Sequence, residues 1–359
     1  MASHQSELEG LDPTDLKAKP APAEPRRAKT PLHISLAMLK QQVVNRVKGN
    51  RRFPFVMMLE PLYTCNLACL GCSVERHTGK LKDRLPVEKC LAALDACGAP
   101  LVSICGGEPT LYPELDELVT GIIDRKKHIY LCTNGLRLDK TVFGKVAPNP
   151  RLSINIHLDG LKDTHDYVCN RKGVFDNAIE ALKEAKSLGY HTMINTTVFK
   201  ETEVSEIQAL CDLVTGLGVD GILVSPGYQY ESVSNDVFLT RRDTEAKFRE
   251  ILKFADRYPI TSTPMFLEFA AGERDYGCSP WSTVTFTPHG WKGPCYLIGE
   301  KFHQDWDSFW HTTDWSYWES RKDEKCANCA MHSGFEASAV MELHKSPRDL
   351  LRMARWSMG

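Results

Sequence analysis

Cys65-Asn66-Leu67-Ala68-Cys69-Leu70-Gly71-Cys72 decides the reading of this chain: three thiols spaced C-x3-C-x2-C on one short loop. The apolar, β-rich run 55–62 leads into it, so the loop falls at the carboxyl end of a predicted strand. Three thiolates so placed can hold three irons of a cubane iron–sulfur cluster and leave the fourth iron open to a non-protein ligand. A structural zinc site wants four closed ligands and would need a distant fourth residue. Separate packing of the three cysteines is the remaining reading.

Working outward, apolar runs at 101–105, 129–132, 152–158, 192–199 and 221–225 continue the pattern begun at 55–62. Helical stretches at 87–97, 115–125, 175–188, 204–217 and 244–257 alternate with them. Strands alternating with helices predict parallel strands joined by right-handed crossovers. Six such units make an α/β fold, a partial (β/α)6 barrel or an open sheet, with ligands at the carboxyl ends of the strands. The near-continuous apolar runs predict strands covered by helices. Residues 53–259 form this barrel. Before it, 1–30 reads as a flexible tail rich in Pro, Ala, Lys and Glu. Residues 31–52 read as an amphipathic helix ending in Arg46, Lys48, Arg51 and Arg52, which either packs on the body or lies on a membrane surface.

After about residue 259 the alternation stops. Residues 260–359 form a loop-rich, tryptophan-rich extension carrying Cys278, Cys295, Cys326 and Cys329. Four thiols ending in C-x2-C can staple such a unit through an iron–sulfur cluster or zinc. The aromatic stripe Trp306, Phe309, Trp310, Trp315, Tyr317 and Trp318 reads as core, with a lipid channel as the sharper alternative.

Composition narrows the class. The 359 residues are 42% hydrophobic, enough for a full core, and 44 basic against 46 acidic residues give a net charge of −2. That balance speaks against a broadly basic nucleic-acid binder. No apolar stretch approaches the roughly 18 residues of a membrane span, and MASHQSELEG has no secretory pattern. Thirteen cysteines in a long chain without export signal suit a reducing, cytoplasmic compartment better than a disulfide scaffold. Serine elbows, P-loops and paired catalytic carboxylates are absent from the sequence.

Two motifs extend the cysteine loop: Gly106-Gly107-Glu108-Pro109 after the second predicted strand and Thr133-Asn134-Gly135 after the third. Glycines there allow bare backbone to approach a charged ligand. In this order the three motifs resemble the radical SAM superfamily. The resemblance implies a [4Fe-4S] cluster on Cys65, Cys69 and Cys72, whose open iron chelates the amine and carboxylate of S-adenosyl-L-methionine. One-electron cleavage then releases a 5′-deoxyadenosyl radical. By the same resemblance Gly106, Gly107 and Glu108 hold the methionine amine, with Thr133 and Asn134 beside the cofactor. Asn155, Asp159 and Asn195 are candidates for ribose or carboxylate contacts, and Arg171 for pairing with the carboxylate. Many members carry an aromatic before the third cysteine; Gly71 here leaves adenine stacking to another side chain. The four C-terminal thiols look like an auxiliary, second iron–sulfur cluster.

The segments MLEPLYTCNLACLGC, GAPLVSICGGEP, YLCTNG, IHLDG, GVDGILVSPGYQYE and PCYLIGE resemble the adenosylhopene transferase (HpnH) family of hopanoid biosynthesis, over residues 40–345. That likeness implies addition of the 5′ carbon to the terminal alkene of a hopene, diploptene, giving adenosylhopane. The tertiary radical left behind needs a hydrogen atom, and Cys132 at the third strand's end is the expected donor, with Cys105 its rival. A hydrophobic polycyclic lipid and a low-potential electron donor such as flavodoxin or ferredoxin are the implied partners, with no nucleic acid. A peripheral contact at the inner membrane face goes with the lipid. Residues 73–80 differ from that family's stretch. The alternatives are a radical SAM enzyme acting on another isoprenoid lipid or modifying a peptide, and a zinc-stabilised binding module without catalysis.

Overall fold

Why the cysteine loop lands in the middle of the molecule follows from the element order. A computed structural model describes residues 32–72, 79–228 and 236–358. The chain runs α1 (Leu32–Val47), β1 (Val56–Leu59), α2 (Val87–Cys97), β2 (Leu101–Ile104), α3 (Leu115–Asp124), β3 (His128–Thr133), α4 (Leu138–Thr141) and β4 (Leu152–His157). It continues through α5 (Lys162–Val168), α6 (Val174–Ser187), β5 (His191–Val198), α7 (Val204–Gly216), β6 (Gly221–Pro226), α8 (Arg241–Leu252) and α9 (Pro264–Ala270). The C-terminal part holds β7 (Thr283–Thr287), β8 (Gly290–Pro294), β9 (Gly299–His303), α10 (Trp306–Thr312), α11 (Trp315–Glu319), α12 (His332–Glu342) and α13 (Pro347–Met358). The predicted tail 1–30 and residues 73–78 lie outside the described residues.

One nine-stranded sheet has the order β6-β5-β4-β3-β2-β1-β7-β8-β9. Strands β1 to β6 pair in parallel, β7 joins β1 in parallel, and β8 and β9 are antiparallel. The strand that carries the cysteine loop is therefore flanked by β2 and β7, inside the sheet rather than at its edge. Strands β1 to β6 with their helices are a partial (β/α)6 barrel, and the C-terminal extension continues its sheet.

Strand parity divides the two faces. Met57, Leu59, Val102, Ile104, Ile129, Leu131, Ile154, Ile156, Ile194, Ile222 and Val224 all join one core with Leu94, Leu118, Ile122, Leu182 and Leu210 from the helices. Burying each such side chain fully contributes about 1.5–3 kcal/mol. The alternate positions, among them Ser103, Cys132, Asn155, His157 and Asn195, turn to the other face. The helix-facing row is buried, whereas the inner row is half-buried at Met58, Cys132, His157 and Asn195 and carries polar side chains where a plain parallel sheet would be apolar. Helix boundaries follow ordinary signals: α2 starts after Pro86 and stops at Gly98, whose φ of 68° lets its N–H reach Leu94 O at 3.0 Å.

The extension contains strands that its sequence hides. TVTFT, GWKGP and GEKFH are five residues each, too short and too mixed to show as apolar runs. The aromatic stripe is core in part: Trp306 and Trp310 are half-buried, and Tyr317 is exposed. Phe309, Trp315 and Trp318 are buried, and Trp291 of β8 stacks on Phe309 with centroids 5.6 Å apart. Among the described residues no helix is long and apolar enough to cross a membrane.

Candidate active site

The loop after β1 is held by backbone rather than by side chains. Gly107 N–H donates to Leu62 O and Glu108 N–H to Thr64 O, both at 2.9 Å, so the GGEP turn lies directly on the cysteine loop. A Cβ on Gly107 would stand 2.1 Å from Thr64 O, and one on Gly106 (φ +103°) 2.6 Å from Leu62 O. Only glycine fits at either place. Beyond this, Leu70 N–H reaches Val168 O at the end of α5 at 2.9 Å. Cys65, Cys69 and Cys72 are each partly buried and free of disulfides.

Glu108 is the hub beneath them. Its Oε1 accepts from Thr110 N–H (3.0 Å), Thr110 Oγ1 (2.6 Å) and Thr133 Oγ1 (2.6 Å), while Oε2 accepts from Asn134 N–H (2.9 Å). Four donors on one buried carboxylate satisfy its oxygens and lock the loops after β2 and β3 together. Asn134 Nδ2 then donates to Asn66 Oδ1 at 2.8 Å, tying that pair to the cysteine loop. Glu108, Thr133 and Asn134 thus position the loop, and Glu108 Oε2, which accepts one bond, keeps acceptor capacity beside the backbone of Gly106 and Gly107.

The inner row continues the site. Cys132 Sγ lies 3.3 Å from Ser103 Oγ on β2 and accepts from Asn155 Nδ2 on β4 at 3.6 Å. Burial raises its pKa, which keeps the thiol protonated. The side-chain oxygens of Asn155 and Asn195 are buried without a hydrogen-bond partner in the chain. Orphaned acceptors on one inner face mark a place built for a donor-bearing ligand. Asp159 is fully engaged: Oδ1 accepts from Thr197 N–H at 2.7 Å, Oδ2 contacts His157 Nε2, and its own N–H donates to His165 Nδ1 at 3.0 Å. Burial alone would lower the His157 pKa, but the touching Asp159 carboxylate and the nearby Cys69 and Cys72 hold it at about 9. Arg171 does not join this group; it is exposed in the turn between α5 and α6. Cys105, the rival thiol, is buried just past the end of β2.

Two features escaped the sequence. Cys169 packs with Leu67 and Val174 against Cys65 and Cys69, and its Sγ lies 3.5 Å from His165 Nε2. A hydrogen bond with Cys169, with burial second, holds the Cys69 thiol up, and burial pushes Cys65 up to about 12. The i,i+4 pair His165 and Cys169 was the available signal. Second, a Cβ on Gly71 would meet the Phe199 ring at 2.7 Å, so the buried ring after β5 takes the space beside the third cysteine.

The C-terminal thiols also converge. Cys278, Cys295, Cys326 and Cys329 line one cavity of about 40 Å³ together with Tyr228 and Trp318. Met58 of β1 shares their apolar cluster, which places the cavity against the inner side of the sheet. Burial raises Cys278, and pushes Cys326 up to about 11 and Cys329 to about 12. Among the described residues no three His, Cys, Asp or Glu converge on a single ion, at either thiol set.

Comparison with known proteins defines the class. Residues 59–214 match the Radical SAM superfamily, and residues 222–353 match a domain of unknown function, DUF3463. The chain is 28% identical over 153 residues to Fe-coproporphyrin III synthase of Methanosarcina barkeri, covering 42% of this chain and 38% of that protein. It is likewise 28% identical over 168 residues to mycofactocin maturase MftC of Mycobacterium tuberculosis, covering 46% of this chain and 43% of that one. The chain thus spans less than half the length of these two relatives. In fold it is similar to Streptococcus suis SuiB bound to S-adenosylmethionine, with a TM-score of 0.65, 18% identity, and coverage of 86% of this chain and 78% of that one. The stretch from the end of β1 into α7 is the part of the chain that matches the radical SAM superfamily. Three thiols on one loop, a bare-backbone turn against them and orphaned acceptors beside them fit a [4Fe-4S] cluster and S-adenosylmethionine, the cofactors of that superfamily.

Proposed function

We propose that the chain is a transferase that joins the 5′-deoxyadenosyl carbon of S-adenosylmethionine to the terminal alkene of a hopene-type polycyclic lipid, as in the conversion of diploptene to adenosylhopane. The observation that supports this reading is the protonated Cys132 thiol on the inner face of β3, 3.3 Å from Ser103 Oγ. A radical enzyme that only abstracts hydrogen gains nothing from a weak S–H bond beside its radical. One that adds carbon to an alkene must end by reducing a carbon radical.

With one electron, the bound cluster and S-adenosylmethionine supply a 5′-deoxyadenosyl carbon radical and free methionine. The chain's residues do the rest. Asn155 and Asn195 accept from the hydroxyls of the bound nucleoside, and Glu108 holds the loops that carry the cluster thiols. One C–C bond forms at the less substituted alkene carbon as the π bond opens, leaving a tertiary carbon radical. Cys132 gives that carbon its hydrogen atom, and a second electron with a proton, from a flavodoxin- or ferredoxin-class donor, restores the thiol. S-adenosylmethionine, alkene, two electrons and one proton give methionine and the adenosylated alkane.

The second thiol set, Cys278, Cys295, Cys326 and Cys329, holds a second iron–sulfur cluster. Four thiolates around one zinc ion stand about 3.8 Å apart, from a Zn–S distance near 2.3 Å. Either group suits four thiols around one cavity, and the cluster is the reading that the metal analysis below tests.

Anaerobic incubation of the reconstituted protein with S-adenosylmethionine, reductant and diploptene should yield a lipid carrying the whole deoxyadenosyl skeleton, read by mass spectrometry. Cys132→Ala should lose that reduced product while keeping its iron. Free 5′-deoxyadenosine with no lipid adduct would overturn the reading. It would favour peptide modification, which the likeness to a maturase supports.

A further inference from the structure

Helix α1 presents two apolar faces. Its inner side packs through Ile34, which is buried, and the half-buried Ala37 and Met38, with His33 Nε2 contacting Pro150 O (2.7 Å) and Gln41 Nε2 donating to Pro54 O (2.9 Å). Leu36, Leu39, Val43 and Val47, spaced i, i+3, i+7 and i+11, form the opposite stripe and are 55%, 55%, 50% and 83% exposed. Burying Leu and Val inward is the ordinary gain of a surface helix, and here that gain is left untaken. An exposed apolar stripe of this kind marks a contact with something else.

Charge identifies what. From Leu32 to Arg52 the chain carries Lys40, Arg46, Lys48, Arg51 and Arg52 and no acidic residue. Arg52 is paired with Glu319 at 2.8 Å, and Arg46 donates to Met341 O at 3.1 Å, which pins the end of α1 to α12. Lys40, Lys48 and Arg51 are exposed along or just beyond the stripe, in a protein whose net charge is −2. Beyond the same end of α12, α13 repeats the pattern. Asp349 faces inward to Arg274 at 2.8 Å, while Leu350, Leu351, Arg348 and Arg355 are exposed. Leu and Val flanked by cations, with no acid, is the composition of a helix lying in the headgroup layer of an anionic bilayer.

We propose that α1, assisted by α13, docks the protein on the surface of an anionic phospholipid membrane. Leu36, Leu39, Val43 and Val47 enter the acyl boundary, Lys40 extends its amine back to the headgroups, and Lys48 and Arg51 meet the lipid phosphates. The inference goes beyond the alkene reading and stands without it, because docking needs neither cofactor nor substrate.

Co-sedimentation of the full chain with phosphatidylcholine vesicles, with and without phosphatidylglycerol, tests it. Binding should require the anionic lipid and weaken with salt. The double variant Val43→Asp with Val47→Asp should abolish it. Lys40→Gln with Lys48→Gln should weaken it about 25-fold, taking roughly fivefold per cation. The four side chains are exposed, so each variant should keep the wild-type circular dichroism and melting temperature. Absence of binding to anionic vesicles, unchanged binding by the Asp variant, or a dimer that the Asp variant dissolves would overturn the proposal. None of these outcomes depends on whether the lipid product forms.

Discussion

Gly107 carries more structural weight than its size suggests. Its missing Cβ is what allows the GGEP turn to lie on Thr64, the residue before Cys65. Gly107→Ala should therefore act on metal loading as well as on stability. We expect a loss of about 3 kcal/mol and iron incorporation well below wild type, read by thermal unfolding and iron analysis. Normal iron with a normal melting temperature would mean that the turn can move away, and that the contact does not fix the cysteine loop. Glu108 makes a related point. From sequence it reads as a ligand-binding acid, and in the structure its four donors also make it a clamp between the loops after β2 and β3. A residue can be recognised from its motif while its contacts stay invisible, because Thr110 and Thr133 become neighbours only when β2 and β3 pair.

At the scale of elements, near-continuous apolar runs alternating with helical stretches carried the strands. The helix-facing residues of β1 to β6 were legible as apolar runs, since that face is a single core. The polar inner row was half legible: Asn155 and Asn195 stood out, but Ser103 matters only because register sets it beside Cys132. The C-terminal thiols come from the stretch after α9, the end of β8 and the turn before α12, so they hold three segments together. Burial keeps Cys326 and Cys329 protonated at neutral pH without metal, at about 11 and about 12. Metal binding must release those protons and so contributes to folding. Cys326→Ser with Cys329→Ser should lose roughly half the iron and lower the melting temperature, while leaving the response to S-adenosylmethionine intact. Unchanged iron, or zinc in its place, would contradict a second cluster.

For the whole molecule, the sheet order explains where chemistry can occur. β1 lies between β2 and β7, so its loop sits over the centre of the sheet, where open α/β folds place their ligands. The partial barrel was readable from alternating strands and helices. The extension's three strands were not, because β7, β8 and β9 depend on pairing with an existing edge rather than on their own apolar content. The nearness of Cys169 to Cys69 was equally hidden, since it arises from the packing of α5 on the cysteine loop.

Electron paramagnetic resonance of the reduced, reconstituted protein, recorded with and without S-adenosylmethionine, bears most directly on the three thiols. If Cys65, Cys69 and Cys72 leave one iron open, adding the sulfonium should shift the cluster spectrum, and Cys69→Ala should remove both that signal and its shift. A spectrum indifferent to S-adenosylmethionine, or one that survives in Cys69→Ala, would contradict the account.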